Sequence, residues 1–160
     1  MSQFDFKEDD LEKIKEKAEE FYSTIGEVLC PYLNTRIAFN AKGIRHLKFK
    51  GDQVARLPME QYVRLRLIFL APEILKLSRT VQGISEIKRL ESQKINSRWE
   101  HQMKKVTYYE FIAVLKGVRV KVIVKEVEGG EKHFWSIIPF WKLDRANNKR
   151  ILHSGNPEAD

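Results

Sequence analysis

Cys30 is the only cysteine in this chain, so no internal disulfide can form. That fits a reducing compartment, and a cytoplasmic location is the expectation. With one Cys and four scattered His, the ligand set of a structural zinc site is missing. Long apolar runs are missing too. LIFLA, at Leu67–Ala71, is among the longest, and a membrane span needs ~20 residues. The opening MSQFDFKEDD is acidic and polar, unlike a secretory leader. There is no glycine-rich phosphate loop, no HExxH pair and no nucleophile-elbow serine. These absences count against a disulfide scaffold, a membrane span, a P-loop NTPase, a zincin and an α/β-hydrolase.

What is present is a chain of 160 residues, 42% hydrophobic and 32% charged. That length suits one domain with a single core. The net charge of +7 is unevenly spread. Residues 1–30 hold four basic and nine acidic side chains, a net of −5, which leaves +12 for residues 31–160. A basic body this small points to a polyanionic partner, with nucleic acid foremost.

Helical periodicity dominates the first half. In DDLEKIKEKAEEFYSTIGEVLC, the residues Leu11, Ile14, Ala18, Phe21, Ile25, Val28 and Leu29 form one apolar stripe. Asp9 or Asp10 caps this acidic helix and Pro31 ends it. Thr35–Asn40 reads as a short strand, and 41–49 as a short helix closed by Gly51. Pro58 opens a largely buried helix that stops at Ala71-Pro72. Residues 73–81 alternate weakly, like a first sheet strand. The polar stretch 82–105 reads as either a helix or a long excursion.

From Val106 the pattern turns to β-branched and aromatic residues. Lys116-Gly117 and Glu128–Glu131 are turn signals at hairpin spacing. Three antiparallel strands follow one another as a meander, with 74–81 as a fourth. The fold class is therefore α+β, with N-terminal helices packed on a four-stranded antiparallel sheet. Its parts are an acidic amphipathic helix in 1–30, a single α+β domain over 31–142 and a polar tail over 143–160.

Two clusters carry chemistry. Arg45, His46, Lys48 and Lys50 crowd one short helix. Neighbouring cations disfavour imidazolium, so His46 stays neutral as a base; a bound phosphodiester reverses that push and suits an acid. A solvated polar helix face explains the same residues without chemistry. The second cluster lies on the sheet, where Arg119, Lys121, His133 and Ser136 come from two adjacent strands. Arg and Lys hold phosphate oxygens, and a serine hydroxyl donates to a phosphoryl oxygen as charge builds there. Alternating cations on a strand also mark an ordinary solvated face. Tyr108, Tyr109, Trp135, Phe140 and Trp141 offer rings on which a base can stack, although most such rings serve a core. Ser136 is flanked in register by Phe134 and Ile138, so its hydroxyl is sheltered and needs a partner.

The run of elements, with Ile44–Leu47, Leu57-Pro58, Ala71–Ile74 and Phe134–Pro139 in order, resembles the phage-linked members of the barnase–EndoU–colicin–RelE superfamily. The likeness spans roughly 35–142. It implies two helices leading into a four-stranded antiparallel sheet whose exposed face is the active one. It implies metal-independent RNA cleavage through attack of the neighbouring 2′-hydroxyl, with no cofactor. His46 matches the helical histidine, Ser136 the Ser/Thr position of the last strand, and Arg119 or Lys121 the cationic position of the central hairpin. The insertion at 82–105 and the Trp-Lys pair after Pro139 depart from the pattern.

Three functions follow from these residues. One is a ribonuclease of toxin or phage-effector type, whose partners are RNA and an inhibitor protein. In it His46, Ser136 and Arg119 do the chemistry, while Arg45, Lys48, Lys121, Tyr109 and His133 hold substrate. The second is a basic nucleic-acid-binding module without catalysis. The third is a protein-interaction domain that presents its acidic helix. None of them calls for a metal or a membrane.

Overall fold

The computed structural model describes residues 8–51, 53–140, 143–144, 149–150 and 152–160. The architecture is α+β, with helices and a mostly antiparallel sheet. Helix α1 (Glu8–Ile25) buries Leu11 and Ala18 of the expected stripe together with Tyr22, which lay outside it, while Phe21 is half-buried. It ends well before Pro31. Gly26, at φ 65, turns the chain out of the helix, and Glu27–Cys30 forms β1. This strand pairs antiparallel with β2 (Thr35–Ala38). Helix α2 (Ala41–Lys48) is capped by Asn40, whose side chain accepts from the Lys42 amide at 3.1 Å.

Helix α3 (Pro58–Leu67) starts on its proline. The helical path does not stop at Ala71-Pro72. It tightens to a 3₁₀ turn at Ile68–Leu70 and resumes as α4 (Ala71–Leu77). Residues 74–77 are thus helical rather than a first sheet strand. Pro72 sits in the first turn of α4, where its missing donor costs nothing, and Ile74 and Leu75 are both buried. Adjacent buried residues suit a helix and contradict strict alternation.

The polar stretch 82–105 is a hairpin. It comprises β3 (Gly83–Ile95) and the first half of β4 (Arg98–Leu115), joined at Asn96 and Ser97, both of positive φ. Only Val106–Leu115 of β4 continues into β5 (Val118–Val127). The outer half of the hairpin is largely exposed, Arg89 and Glu91 near Glu158 apart, and has no apolar alternation to betray it. Lys116-Gly117 makes the expected tight turn, both residues at positive φ.

The last long strand, β6 (Lys132–Pro139), pairs antiparallel with β5 and touches β2 in parallel at Ala38 and His133. The main sheet is thus six-stranded, in the order β1-β2-β6-β5-β4-β3, where four strands were expected. The β1–β2 pair and the polar β3 add three strands, and the expected strand at 74–81 drops out. Residues 143–144 and 149–150 pair as β7 and β8 in a separate two-stranded ribbon.

One sheet face carries the main core. Val120, Val122, Val124, Phe134 and Ile137 pack there against α1, α3 and α4. The other face carries a smaller cluster of Val106, Tyr108 and Ile123, with Trp135 against it. A β-bulge at Ile123/Val124 decides the register of β6. Ile123 lies opposite Ser136 while Val124 lies opposite Phe134, so Trp135 is the extra residue. The bulge separates Ser136 from Phe134, which were expected to share a face. Phe134 enters the main core, and Ser136 joins Ile123 on the other side.

Candidate functional site

Where α2 and α3 meet β6, four polar side chains are buried together: His46, Arg56, Arg64 and Ser136. The loop after α2 folds back as a small hairpin, through Lys50 N–H to Val54 O (2.7 Å) and Arg56 N–H to Lys48 O (2.8 Å). Arg56 is thereby returned to the end of α2. Its Nε donates to the His46 carbonyl at 2.8 Å and its Nη2 to His46 Nε2 at 3.0 Å. Glu60, one helical turn along, lies 3.7 Å from Nη1.

The His46 ring stacks on Trp135, with centroids 3.9 Å apart and planes 20° from parallel. Because Nε2 accepts from Arg56, the hydrogen-bond network assigns the neutral ring proton to Nδ1. The ring also hydrogen-bonds the main chain of Asp160. Burial, then the charges of Arg56, Arg64 and Lys125, hold the imidazole pKa down at about 2.

Arg64 lies within α3 between Val63 and Leu65 and is only 2% exposed. Its Nη1 donates to Ser136 Oγ at 2.8 Å and also to the main-chain oxygen of Asp160. Among the described residues its Nε has no partner. Burial, then the charge of Arg56, lowers its pKa to about 9. Ser136 Oγ donates to the same Asp160 oxygen at 2.6 Å. A guanidinium, a hydroxyl and an imidazole, from three different elements, thus converge on Asp160.

Residues 153–160 lie across the sheet face that carries Ser136. Asp160 folds the segment on itself, its carboxylate accepting from the Ser154 amide (2.7 Å), the Ser154 hydroxyl (2.5 Å) and the Gly155 amide (3.2 Å). Trp135 Nε1 donates to the carbonyls of Pro157 (3.2 Å) and Glu158 (3.3 Å). The Glu158 carboxylate pairs with Lys125 at 3.1 Å and with Arg89 of β3. Burial nonetheless pushes Glu158 up to about 7 and Lys125 down to about 8. Desolvation outweighs pairing for both partners. Beside the segment a cavity of about 240 Å³ opens among Lys50, Arg56, Glu60, Arg64 and Asp160.

The expected residues divide accordingly. His46 and Ser136 meet in one cluster. Lys121 lies along the same face, 3.0 Å from Glu110 and in contact with His153, which is 3.8 Å from Asp160. His133 is buried edge-on to Trp135 at 6.1 Å; burial, then Lys42 and Lys125, lowers its pKa to about 4. Arg119 stands apart: it is exposed at the start of β5, over the Phe140 ring at 5.4 Å. Arg45 is exposed over Phe49, and Lys48 reaches Glu19 of α1 at 2.7 Å. Tyr109 packs against the main core, and its hydroxyl donates to Glu126 at 3.1 Å. Trp141 lies outside the described residues.

Arg56, Arg64 and the 153–160 segment were not anticipated. Arg64 had a readable signal, since a charge inside an otherwise apolar helix must find a buried partner. Arg56 had none, because its burial depends on a loop hairpin. Among the described residues, no three His, Cys, Asp or Glu side chains gather into a set able to hold a metal ion. Among the same residues, no helix is long and apolar enough to cross a membrane. No family model, curated protein or solved structure matches the chain.

Proposed function

We propose that this protein is a cytoplasmic ribonuclease of the kind its resemblance implies, cleaving RNA by internal attack of the 2′-hydroxyl. The observation that carries this reading is the convergence of Arg64 and Ser136 on one main-chain oxygen of Asp160, with the His46 ring bonded to the main chain of the same residue. Donors aimed at a single oxygen from rigid elements are what a phosphoryl group needs as its charge grows. In this reading a non-bridging phosphate oxygen takes the position of the Asp160 oxygen. Arg64 and Arg56 then replace Arg119 as the guanidinium pair at the phosphate, with Lys121 further along the face. Arginine suits the role through its fork of donors and its permanent charge.

The reaction forms a bond from the 2′-oxygen to phosphorus and breaks the bond from phosphorus to the 5′-oxygen. The 2′-hydroxyl proton goes to a base, and the 5′-oxygen takes up a proton. His46 is neutral, the state from which a ring nitrogen accepts a proton. A phosphodiester in the cleft adds negative charge and raises the imidazole pKa towards a working range. Trp135, stacked on the His46 ring and also in contact with the Lys125 ammonium at 4.1 Å, holds the imidazole in place.

The test is cleavage of single-stranded RNA in EDTA, with wild type beside His46→Ala and Arg64→Lys. The reading expects cyclic-phosphate ends from wild type and a loss of about 10²-fold or more in each variant. Intact RNA at all protein concentrations sinks it.

One observation favours the non-catalytic alternative. His46 Nε2 is already occupied by Arg56, as suits a ring that orients an arginine for binding. A binding module predicts affinity that falls steeply with salt and no cleavage.

A further inference from the structure

We infer that residues 153–160 are a displaceable internal occupant of the cleft, and that a single-stranded oligonucleotide binds by exchange with them. The inference rests on the reading of the cleft as a phosphate site. It goes further by assigning that site a built-in competitor.

Three observations carry it. First, the segment presents acceptors where the cleft presents donors. The Asp160 main-chain oxygen meets Arg64 and Ser136, Ala159 O accepts from Arg56 at 3.0 Å, and the Glu158 carboxylate meets Lys125 and Arg89. A chain of phosphodiesters offers the same pattern of successive oxygens. Second, apart from the His153 ring edge-on to Phe140 at 5.0 Å, the segment's contacts with the cleft are polar. Of its side chains, Glu158 makes the ion pairs, while Asp160 turns inward to clamp Ser154 and Gly155. No large apolar side chain anchors it, since 153–160 reads HSGNPEAD. Removal therefore costs hydrogen bonds and ion pairs that an oligonucleotide replaces in kind. Third, the fit is incomplete. The cavity beside Asp160 gives a ligand a point of entry among the very cations it would take over, and behind it Arg64 Nε has no partner among the described residues.

The competition is one of populations. If the segment is docked for about nine tenths of the time, apparent affinity is reduced about tenfold.

The experiment uses the full chain and a labelled single-stranded oligouridylate. Hydrogen exchange is followed at Ser154, Gly155, Ala159 and Asp160, whose amides are bonded within the segment. The expectation is faster exchange at these amides when the probe is bound. In parallel, affinity is compared for wild type, for Glu158→Gln with Asp160→Ala, and for Glu12→Gln with Glu16→Gln as a charge-matched control on α1. The segment variant is expected to bind about tenfold tighter, and the control much less so. Unchanged or slowed exchange with bound probe overturns the inference. So does an equal gain in both variants, or failure of the probe to bind any of the three. Cleavage is not the readout. A protein that trades its segment for the probe without cutting it upholds the exchange and removes the ribonuclease reading. A protein that cuts RNA with its segment still docked does the reverse.

Discussion

Acid should unfold this protein through His46, and the size of the effect can be worked out. The ring is 5% exposed, stacked on Trp135 and faced by Arg56, which together keep it neutral. Its folded pKa of about 2 lies far below the ordinary 6.5. Below pH 6.5 the unfolded chain takes up a proton there and the folded chain does not. Stability is thus fully present above 6.5 and is lost as pH falls through the window towards 2. By pH 4 the loss from His46 alone is about 3 kcal/mol. His133, with a folded pKa of about 4, loses a similar amount, about 3 kcal/mol, over 6.5 to 4. Glu158 works the other way. Its folded pKa of about 7 is raised above 4.5, so acid favours the folded form by up to about 3 kcal/mol across that interval. The wild-type curve mixes all three. The difference between wild type and His46→Gln does not, because glutamine does not titrate. Urea unfolding of both proteins at pH 7 and pH 4 is the assay. Whatever the variant costs at pH 7, its deficit should shrink or reverse by about 3 kcal/mol at pH 4. A difference that stays constant to within about 1 kcal/mol means the ring protonates freely in the folded protein, and the buried, Arg56-bound histidine is wrong.

Ser136→Ala should destabilise by about 1–3 kcal/mol, because it strips a buried partner from Arg64; denaturant midpoints measure this. In the RNA assay the same change should cost about 10²–10³-fold, and equal activity removes the hydroxyl from the site. Arg119→Ala, an exposed change away from the cluster, should alter cleavage by no more than about twofold. Gly43→Ala should cost about 1–3 kcal/mol in thermal or urea unfolding, since a Cβ there lies 2.5 Å from the Phe134 carbonyl and 2.6 Å from the Tyr22 hydroxyl.

The sequence was legible wherever burial was one-sided. The stripe of α1 as far as Ile25, the proline start of α3 and the Lys116-Gly117 turn each have a local cause and stand where they were read, whereas Val28 and Leu29 belong to β1. The β3–β4 hairpin was illegible for the opposite reason. With the outer half largely exposed and its one covered face met by a polar segment, nothing selects apolar residues at alternate positions, and Lys88, Lys94, Lys104 and Lys105 look the same in a helix, a strand or a loop. Residues 73–81 misled because a short, largely buried helix carries too few turns to show its period. In the site, His46 and Ser136 could be proposed from residue type and neighbourhood. Their meeting depends on the bulge at Ile123/Val124, a feature of pairing that no local pattern announces. Arg119 was favoured for its strand register, yet the cation that reaches Ser136 comes from a helix.

The buried charges explain why the cleft and its segment belong to one device. With the segment docked, Arg56, Arg64, Lys121, Lys125 and Arg89 face Glu60, Glu91, Glu110, Glu158 and Asp160. His46 adds no charge, so the cluster is close to balanced. Lifting 158–160 out leaves the same five cations against three carboxylates, Glu60, Glu91 and Glu110, with Arg64 still beside β6. The surplus of positive charge makes the open cleft costly and favours whatever anion fills it. Either the segment returns or another anion takes its place. A purely structural segment and a displaceable one make identical contacts; what separates them is whether an outside anion can offer acceptors in the same order. Phosphodiesters can, and the basic surplus of residues 31–160 draws them to the surface before any exchange begins.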